Sequence, residues 1–415
     1  MHDWLAWIES VYPRKMELGL ERVSIVAERM RLANPTFCSI SVAGTNGKGS
    51  TVAMLEAILV AAGYKVGAYT SPHMLEYNER VRVAMQPATD TALCNAFQRI
   101  EDTRRETPLT YFEFGTLAAL EVFRNENVDI ALLEVGLGGR LDAVNVIDAD
   151  VAIVTLIGID HTRWLGNSRM EIGREKAGIF RAGRPAVCTD LDPPATVART
   201  AEAVGARFLR LGRDFNIERE QQSWCWRSGN RVRTGLPFPA MRGDHQLHNA
   251  AGALMALETL ADRVPVAQAH IRDGLLSALL PGRFQTLPGL PVQVLDVAHN
   301  AEAAAVLATT LQQQVIVGRT LAVVGMLKDK PLAAVMAAVR SVIDHWFLAT
   351  LTVERGATAE ELHTALKTTS PAAPASLHPD VLHAFEAARA EASERDRIVA
   401  FGSFYTVSDI ISAEK

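Results

Sequence analysis

The feature of the sequence that most constrains the fold is a glycine-rich stretch near the start of the chain. It runs from Val42 to Thr51 and reads VAGTNGKGST. An apolar segment with strand character precedes it, and a helical pattern that begins at Val52 follows it. In a strand–loop–helix arrangement, backbone N–H groups converge on a phosphate, and Lys48 adds a positive charge. The sequence therefore predicts a nucleoside triphosphate site.

This loop departs from the common pattern G-x-x-x-x-G-K-[ST] at two positions. Val42 stands where the first glycine is usual, and Gly49 stands where a hydroxyl residue is usual. Ser50 and Thr51 supply hydroxyl groups one and two places later. The structural alternative is a glycine-rich turn with a surface lysine, but the strand before the loop and the helix after it favour phosphate binding.

Composition limits the class of protein. The chain has 415 residues, more than one typical core, so two domains are expected. The formal net charge of −5 gives no electrostatic case for a nucleic-acid partner. The 4 cysteines show no C-x-x-C spacing, which indicates reduced thiols rather than a zinc site or disulfides. Because no signal-like or membrane-spanning segment is visible, we expect a cytoplasmic protein without a membrane partner. We expect a monomer by default, because no exposed apolar helix stands out.

Strands and helices alternate along most of the chain, which predicts an α/β fold. The first expected domain, residues 1–287, contains a doubly wound, mostly parallel sheet with the phosphate loop and a β-hairpin appendage near 214–239. The second, residues 288–415, is a smaller Rossmann-like α/β domain. A turn-rich junction separates them. The Ala/Pro stretch at 370–376 predicts a loop.

Three residues that could hold a metal ion each follow a predicted strand of the first domain. They are Ser71, Glu134 and His161. Ligands of a doubly wound sheet gather beyond the carboxyl ends of its strands, so these side chains should share one edge. A hydroxyl, a carboxylate and an imidazole can hold a divalent ion beside a triphosphate. A single histidine at a strand end is more often a structural residue, but the three together predict a metal site.

Charged residues elsewhere are harder to interpret from the sequence. Lys176 lies in the helical segment REKAG, where a salt-bridged surface lysine is the simpler interpretation. Arg283 suits phosphate oxygens geometrically. Asp296 and His299 end the first strand of the second domain and are interpreted as functional, whereas Asn300 is interpreted as a helix N-cap.

Seven motifs together resemble the folylpolyglutamate synthase/dihydrofolate synthase family, which is part of the wider group of Mur-type ligases. They are GTNGKGS at 44–50, SPH at 71–73, EVGLGGRLD at 134–142, DH at 160–161, REKAG at 174–178, PGR at 281–283 and DVAHN at 296–300. The match runs almost from end to end. The family's own phosphate loop carries the extra glycine before the hydroxyl residue, which explains the irregular pattern.

The resemblance implies ATP and magnesium sites. The ATP-binding residues would be Gly44, Thr45, Asn46, Gly47, Lys48, Gly49, Ser50, Asn249, Arg283 and Asp296. Two Mg²⁺ ions would be bound by Ser71, Glu134, His161 and a carbamylated Lys176, with K⁺ as a further candidate cofactor. The residues implied in catalysis are Lys48, Lys176, Asp296 and His299. The resemblance thus replaces the surface interpretation of Lys176 with a functional one.

The resemblance also implies positions for the pterin or folate substrate. These are Lys15, Met16, Glu17, Leu18, Thr110, Tyr111, Phe112, Glu113 and Leu141. Glu17 differs from the aspartate of well-known bifunctional members, so the negative charge is kept on a longer side chain.

The implied activity is ATP-dependent addition of L-glutamate to dihydropteroate and to reduced folates, through an acyl phosphate. A monofunctional folylpolyglutamate synthase and another Mur-type amino-acid ligase are alternatives. A cell-wall precursor ligase would carry a UDP-sugar domain before the loop, for which the residues ahead of Gly44 leave no room. A GTPase-type switch protein should carry the motif N-K-x-D, which is absent. A small-molecule kinase would release a phosphorylated product and would not need glutamate.

Overall fold

The structure is a computed structural model that describes residues 1–12 and 17–414. The chain forms two compact units. The first comprises Met1–Ala240 with Gln246–Leu279, and the second comprises Met241–His245 with Leu280–Lys415. The main part of the second unit thus begins at Leu280, ahead of residue 288, where the second domain is expected to begin. The division into domains 1–287 and 288–415 stays a prediction. The candidate substrate positions Lys15 and Met16 lie outside the described residues.

A mostly parallel sheet forms the centre of the first unit. Its strands are β1 (Cys38–Ala43), β2 (Val66–Tyr69), β3 (Val81–Val83), β4 (Gln86–Pro87), β5 (Ile130–Glu134), β6 (Val151–Val154), β7 (Pro185–Cys188) and β8 (Arg207–Arg210). Among the described residues these 8 strands have the order β4-β3-β2-β5-β1-β6-β7-β8. The strands from β2 to β8 in that order are parallel, whereas β3 and β4 are antiparallel to their neighbours. The chain leaves β1 toward one side and later returns to the other, so the loop after β1 lies at a topological switch point.

Helices accompany this sheet. They are α1 (His2–Val11), α2 (Glu21–Arg29), α3 (Lys48–Ala61), α4 (Asp90–Arg104), α5 (Tyr111–Asn125), α6 (Thr162–Leu165), α7 (Arg169–Ala177), α8 (Ala195–Val204), α9 (His245–Thr259) and α10 (Gln268–Ser277), with short 3-10 helices at Tyr77–Arg80 and Ala143–Val146. Strands β1, β5 and β6 are buried along their whole lengths, as expected of parallel strands covered on both faces. Helix α3 is buried on all sides from Gly49 to Leu59, because it packs against both the sheet and α10.

A separate antiparallel sheet follows the parallel one in the chain. It consists of β9 (Asn216–Arg219), β10 (Trp224–Ser228) and β11 (Arg231–Leu236), with β10 in the middle. The segment expected to form a hairpin near 214–239 thus also contains β9. Trp224 and Trp226 are fully buried, and the indole N–H of Trp226 donates to the carbonyl of Ala251 on α9 at 3.2 Å.

The second unit is built around a smaller sheet. Its strands are β12 (Gln285–Leu287), β13 (Val292–Leu295), β14 (Thr320–Val324), β15 (His345–Ala349), β16 (Ala375–His378) and β17 (Arg397–Phe401), and its helices are α11 (Ala301–Gln313), α12 (Leu332–Val339), α13 (Ala359–Thr369), α14 (Val381–Glu391) and α15 (Phe404–Ala413), with a 3-10 turn at Arg340–Val342. The order is β12-β13-β17-β14-β15-β16, and β12 is the antiparallel strand. The predicted α/β fold with parallel sheets is confirmed. No helix in the described part of the chain is long and apolar enough to cross a membrane.

The prediction of a loop at 370–376 is wrong for its last residues. Ala375 and Ser376 belong to β16, which pairs in parallel with β15 at the edge of the sheet. The strand sequence Ala-Ser-Leu-His contains no β-branched residue, so its local preference for strand is weak. Pairing with β15 therefore determines this strand, and such long-range pairing is invisible in the local pattern.

Gly274→Ala should lower the free energy of unfolding by about 1–3 kcal/mol through overpacking. A Cβ at Gly274 would lie 2.5 Å from the Cα of Ile58, so α3 and α10 would have to separate. An ordinary Gly→Ala change inside a helix stabilises by about 0.5–1 kcal/mol, so the expected sign is reversed here. Urea unfolding followed by circular dichroism measures the change. Asp273→Ala, at the exposed neighbouring position, is the control, and equal stability of the two variants would contradict this packing.

Candidate active site

The loop between β1 and α3 passes two places where a side chain would not fit. A Cβ at Gly44 would lie 1.7 Å from Thr155 Oγ1, and a Cβ at Gly47 would lie 2.5 Å from Asn249 Oδ1. Gly47 also has a φ of 95°, in the left-handed region that favours glycine. Neighbouring side chains on two sides therefore fix the path of the loop.

The segment after β6 holds this loop by hydrogen bonds. Thr155 Oγ1 donates to the carbonyl of Asn46 at 2.8 Å, and the Thr45 N–H donates to the carbonyl of Leu156 at 2.7 Å. The Thr45 hydroxyl donates to the carbonyl of Gly158 and accepts from the Gly158 N–H, each at 3.0 Å. Thr155 is a supporting residue that the sequence analysis missed, because its closeness to the loop exists only in the folded sheet.

Helix α3 presents its N-terminus at this loop. Its N-cap residue is Gly47, which has no side chain to accept hydrogen bonds from the first turn. The first N–H groups of a helix lack intrahelical acceptors and, together with the helix dipole, favour an anion. Gly49 and Ser50 are buried in this turn. The arrangement is suited to bind phosphate groups.

Asn249 lies beside the same turn. Its amide Nδ2 donates to Gln246 Oε1 at 3.0 Å, and Gln246 Nε2 donates to Ser50 Oγ at 3.4 Å. All three side chains are buried. The sequence-predicted residue Asn249 is therefore held against the phosphate loop by a hydrogen-bond chain from α9 to α3.

Two lysine side chains meet at one backbone carbonyl of the loop. The amines of Lys48 and Lys176 donate to the Gly44 oxygen at 3.0 and 2.8 Å, and Lys48 also donates to the Thr45 carbonyl at 3.2 Å. Lys176 is 4% exposed, so the interpretation of a salt-bridged surface lysine is wrong. Burial lowers the pKa of Lys176 well below its ordinary value, and the nearby Lys48 charge lowers it further. The surroundings of Lys176 therefore favour its uncharged amine.

Two of the three residues predicted to bind a metal ion, Ser71 and Glu134, are in contact at the edge of the sheet. The Ser71 N–H donates to Glu134 Oε2 at 3.2 Å, which brings the ends of β2 and β5 into contact. His161 follows β6, and its side chain is 42% exposed. Within residues 1–12 and 17–414, no three His, Cys, Asp or Glu side chains form a metal-binding group. The hydroxyl of Ser71 and the carboxylate of Glu134 are nevertheless the oxygen ligands that hard divalent ions prefer.

An ion pair supports the segment that leads to His161. Asp190 Oδ2 accepts from the Ile157 N–H at 3.0 Å, and Arg169 Nε donates to the Ile157 carbonyl at 2.8 Å. Arg169 and Asp190 also pair with each other at 2.9 Å. Both the N–H and the carbonyl of Ile157 are thus fixed. No local sequence pattern marks this pair, since its two members belong to different segments of the chain.

In the second unit, Asp296 is held by the backbone around it. Its oxygens accept from the N–H groups of Phe284 and Ala298, each at 2.8 Å. Burial raises the pKa of Asp296, although the charge of Arg283 and these hydrogen bonds oppose the effect. Asn300 caps α11 by accepting from the Ala303 N–H at 2.9 Å, which confirms its interpretation as an N-cap.

Arg283 and His299 both lie against Phe404, at the start of α15. The Arg283 guanidinium stands over the Phe404 ring at 5.3 Å, and the centres of the His299 and Phe404 rings are 6.4 Å apart. His299 Nδ1 lies 2.8 Å from the Val297 carbonyl, which can only accept, so Nδ1 carries the proton. Phe404 thus contacts two predicted functional residues. It was not among the predicted site residues, because a single aromatic residue gives no sequence signal.

The described candidate substrate positions come together in the first unit. Glu17 Oε1 accepts from Arg22 at 2.9 Å, and Arg22 also lies 3.1 Å from Glu113 Oε1. The N–H of Gly19 donates to the Leu141 carbonyl at 3.1 Å. Three segments distant in sequence therefore meet around residues 17–19. The remaining candidates lie beside them. Leu18 packs on the hydrophobic core, and Thr110 caps α5. The rings of Tyr111 and Tyr77 make an edge-to-face contact with their centres 5.8 Å apart, and Phe112 lies against Gly136.

Asp142 follows these positions and is fully buried. Its oxygens accept from the N–H groups of Leu137 at 2.8 Å and Val144 at 3.0 Å. Burial is the main cause that raises the pKa of Asp142 to about 6, and the backbone hydrogen bonds limit the rise. This buried carboxyl therefore titrates well above its usual range.

The stability difference between the natural protein and Asp142→Asn should change with pH. The stabilising contribution of the protonated carboxyl is complete below the ordinary pKa of 3.8 and disappears as pH rises through about 6. Between about pH 4.5 and pH 7 the natural protein should lose about 2 kcal/mol relative to the variant. Urea unfolding at both pH values measures this. The exposed-site control Asp273→Asn should track the natural protein, and parallel profiles for all three proteins would contradict the raised pKa.

Comparison with known proteins identifies the family. Residues 42–257 match the Mur ligase middle domain, and residues 282–404 match the Mur ligase glutamate ligase domain. The chain is 45% identical to the dihydrofolate synthase/folylpolyglutamate synthase of Escherichia coli over 99% of this chain and 94% of that protein.

Solved structures agree with this relationship. Escherichia coli FolC in complex with DHPP and ADP is 44% identical, with a TM-score of 0.95, and the match covers 100% of this chain and 97% of that one. A bifunctional folylpolyglutamate synthase/dihydrofolate synthase with Mn, AMPPNP and L-glutamate bound is also 44% identical, with a TM-score of 0.92 and the same coverage. The chain belongs to the dihydrofolate synthase/folylpolyglutamate synthase family of Mur ligases.

Proposed function

We propose that this chain is an ATP-dependent ligase that joins L-glutamate to dihydropteroate and to reduced folates. The observation that carries the proposal is the edge of the first sheet, where the phosphate loop, the amines of Lys48 and Lys176 and the contact between Ser71 and Glu134 occur together. Membership of a family of amino-acid ligases supports it.

The chemistry requires activation of a carboxylate, because its direct leaving group would be oxide. The substrate carboxylate attacks the γ-phosphorus of ATP, so that an acyl phosphate forms and ADP leaves. The amine of glutamate then attacks the acyl carbon, loses a proton and expels inorganic phosphate, which leaves an amide. Phosphoryl transfer depends on positioning and on neutralisation of charge. The N–H groups at the start of α3 and the Lys48 ammonium are the groups we assign to that task.

Magnesium is the divalent ion we propose for this site, with Ser71, Glu134 and His161 as ligands of one ion and Lys176 as a ligand of a second. When bound, magnesium supplies neutralisation of the phosphate charge. A relative with both Mn and AMPPNP bound supports the use of a divalent ion. Potassium is a further candidate. We also propose that the protein acts as a monomer in the cytoplasm.

We propose that Lys176 provides its ligand oxygen as a carbamate. Its uncharged amine, which burial favours, attacks carbon dioxide, an N–C bond forms, and the nitrogen releases one proton. The product carries a negative charge beside Lys48, where a second ammonium would be repelled. An unmodified lysine would offer no anionic oxygen to a metal ion.

The other candidate residues complete the proposal. We assign Arg283 and Asp296 to nucleotide binding, together with Asn249. His299 is assigned to orienting or deprotonating the incoming amine. We also propose that residues 15–18, 110–113 and 141 bind the pterin or folate substrate.

Phosphate release should depend on glutamate with both acceptors. The experiment compares ATP turnover with dihydropteroate and with tetrahydrofolate, each with and without L-glutamate, and follows inorganic phosphate and the glutamylated product. A ligase releases phosphate only when the amine is present. Turnover without glutamate, with a phosphorylated product, would instead indicate a kinase. Turnover with tetrahydrofolate alone would indicate a monofunctional folylpolyglutamate synthase.

Lys176→Arg should lower turnover by about 10–100-fold, since arginine keeps a positive charge but forms no carbamate. Lys65→Arg is the control, because Lys65 is exposed and pairs with Glu126. Carbon-13 NMR of the natural protein in labelled bicarbonate should show a carbamate signal that is missing from Lys176→Arg. A natural protein without that signal, or an Arg variant with full activity, would contradict the assignment.

A further inference from the structure

Arg22 on α2 joins two carboxylates from separate segments of the first unit. Its Nη1 donates to Glu17 Oε1 at 2.9 Å, and its Nη2 lies 3.1 Å from Glu113 Oε1. Each glutamate has a second contact, since Nη2 donates to the Glu17 carbonyl at 3.3 Å and Nε donates to Glu113 Oε2 at 3.4 Å. A guanidinium can do this because its donors form a rigid planar fork. One side chain therefore sets the separation of residues 17 and 113.

Glu113 has little freedom to move. Its side chain is 3% exposed, and Oε2 also accepts from the Thr110 N–H at 2.7 Å in the capping box of α5. A carboxylate buried to this extent requires a cation beside it. Burial alone would lower the pKa of Arg22, but the hydrogen bond to Glu113 and its charge raise it. Arg22 is thus anchored at the fixed end of α5.

Glu17 is held from the other side by an aromatic residue. The Tyr12 hydroxyl donates to Glu17 Oε2 at 2.7 Å, while Arg22 contacts Oε1. The Arg22 guanidinium also lies 5.5 Å from the centre of the Tyr12 ring, within the range of a cation–π contact. Both oxygens of Glu17 are therefore oriented, although glutamate has one more rotatable bond than aspartate.

We propose that Arg22 is a positioning residue for the pterin-bearing substrate. It holds Glu17 at a fixed distance from Glu113, so that the substrate segments on either side of it keep one geometry. The bicyclic ring of the substrate presents N–H donors, which carboxylates accept well. The proposal rests on the proposed function, since it takes these segments as the substrate end of the site.

A purely structural role for Arg22 predicts a different outcome. Loss of a buried ion pair would then lower stability and would affect all three substrates alike. A positioning role instead weakens binding of the pterin substrate while ATP binding at the phosphate loop, a different segment of the chain, is kept. Separate dissociation constants for the two ligands therefore distinguish the roles.

The test compares Arg22→Met with Arg29→Met, a matched change on the same helix. Arg29 is exposed and donates to the Arg104 carbonyl and to Thr107. Isothermal titration of the full chain measures the dissociation constants for dihydropteroate and, separately, for AMPPNP with magnesium. Arg22→Met should raise the constant for dihydropteroate about tenfold or more and leave that for AMPPNP within about twofold. Arg29→Met should change neither.

Two further variants keep the test decisive where Arg22→Met fails to fold. Arg22→Lys keeps the charge but cannot bind two carboxylates as a fork, so it should recover part of the affinity for dihydropteroate. Tyr12→Phe removes one hydrogen bond to Glu17 and should raise the KM for dihydropteroate about threefold, with kcat nearly unchanged. Full affinity for dihydropteroate in all folded variants would overturn the inference.

Measurements on the natural protein show whether a negative result counts against this inference or against the proposed function. If it fails to bind or glutamylate dihydropteroate or tetrahydrofolate, the proposed function itself is wrong. If it binds dihydropteroate, and the Arg22 variants bind it equally well or lose AMPPNP to the same extent, only the positioning role is wrong.

Discussion

The candidate site depends on close packing around the phosphate loop at two glycine positions that have no space for a side chain. Gly44 passes against Thr155, and Gly47 passes against Asn249, at distances that no Cβ would tolerate. This closeness lets the Thr155 hydroxyl reach the loop carbonyls, and it turns the Gly44 oxygen toward the Lys176 amine. A larger residue at either glycine would move the loop as a whole, because its contacts lie on both sides. The position of the amines and the course of the phosphate loop are therefore consequences of one packing constraint.

Much of the first sheet could be predicted because its central strands are buried on both faces. Strand β6 is a continuous apolar run and β5 is apolar up to Glu134, so both give a strong signal, whereas β1 has Ser39 and Ser41 among its apolar residues. The ends of parallel strands share one edge, so the closeness of Ser71 and Glu134 followed from the order of the elements. Strand β16 lacked such a signal, because an edge strand takes its structure from its neighbour.

The parts of the site that the sequence did not reveal are those created by tertiary burial. Lys176 lies among charged residues in the chain, yet α7 turns it inward, where desolvation changes its protonation. Thr155 and the pair of Arg169 and Asp190 act on backbone atoms, and backbone contacts leave no pattern in residue types. The resemblance to a family supplied a role for Lys176, but the burial that lowers its pKa is apparent only in the folded chain.

Glu113 shows how one side chain couples helix formation to the substrate end of the first unit. The oxygen that accepts from the Thr110 N–H also lies within reach of Arg22 Nε, so the start of α5 and the ion pair are fixed by the same carboxylate. A change at Glu113 would remove both interactions, and its effect on substrate binding could not be separated from the loss of a helix cap. Arg22 can be changed without altering the cap itself. For this reason the arginine, rather than the more buried glutamate, isolates the contribution of side-chain positioning to substrate binding.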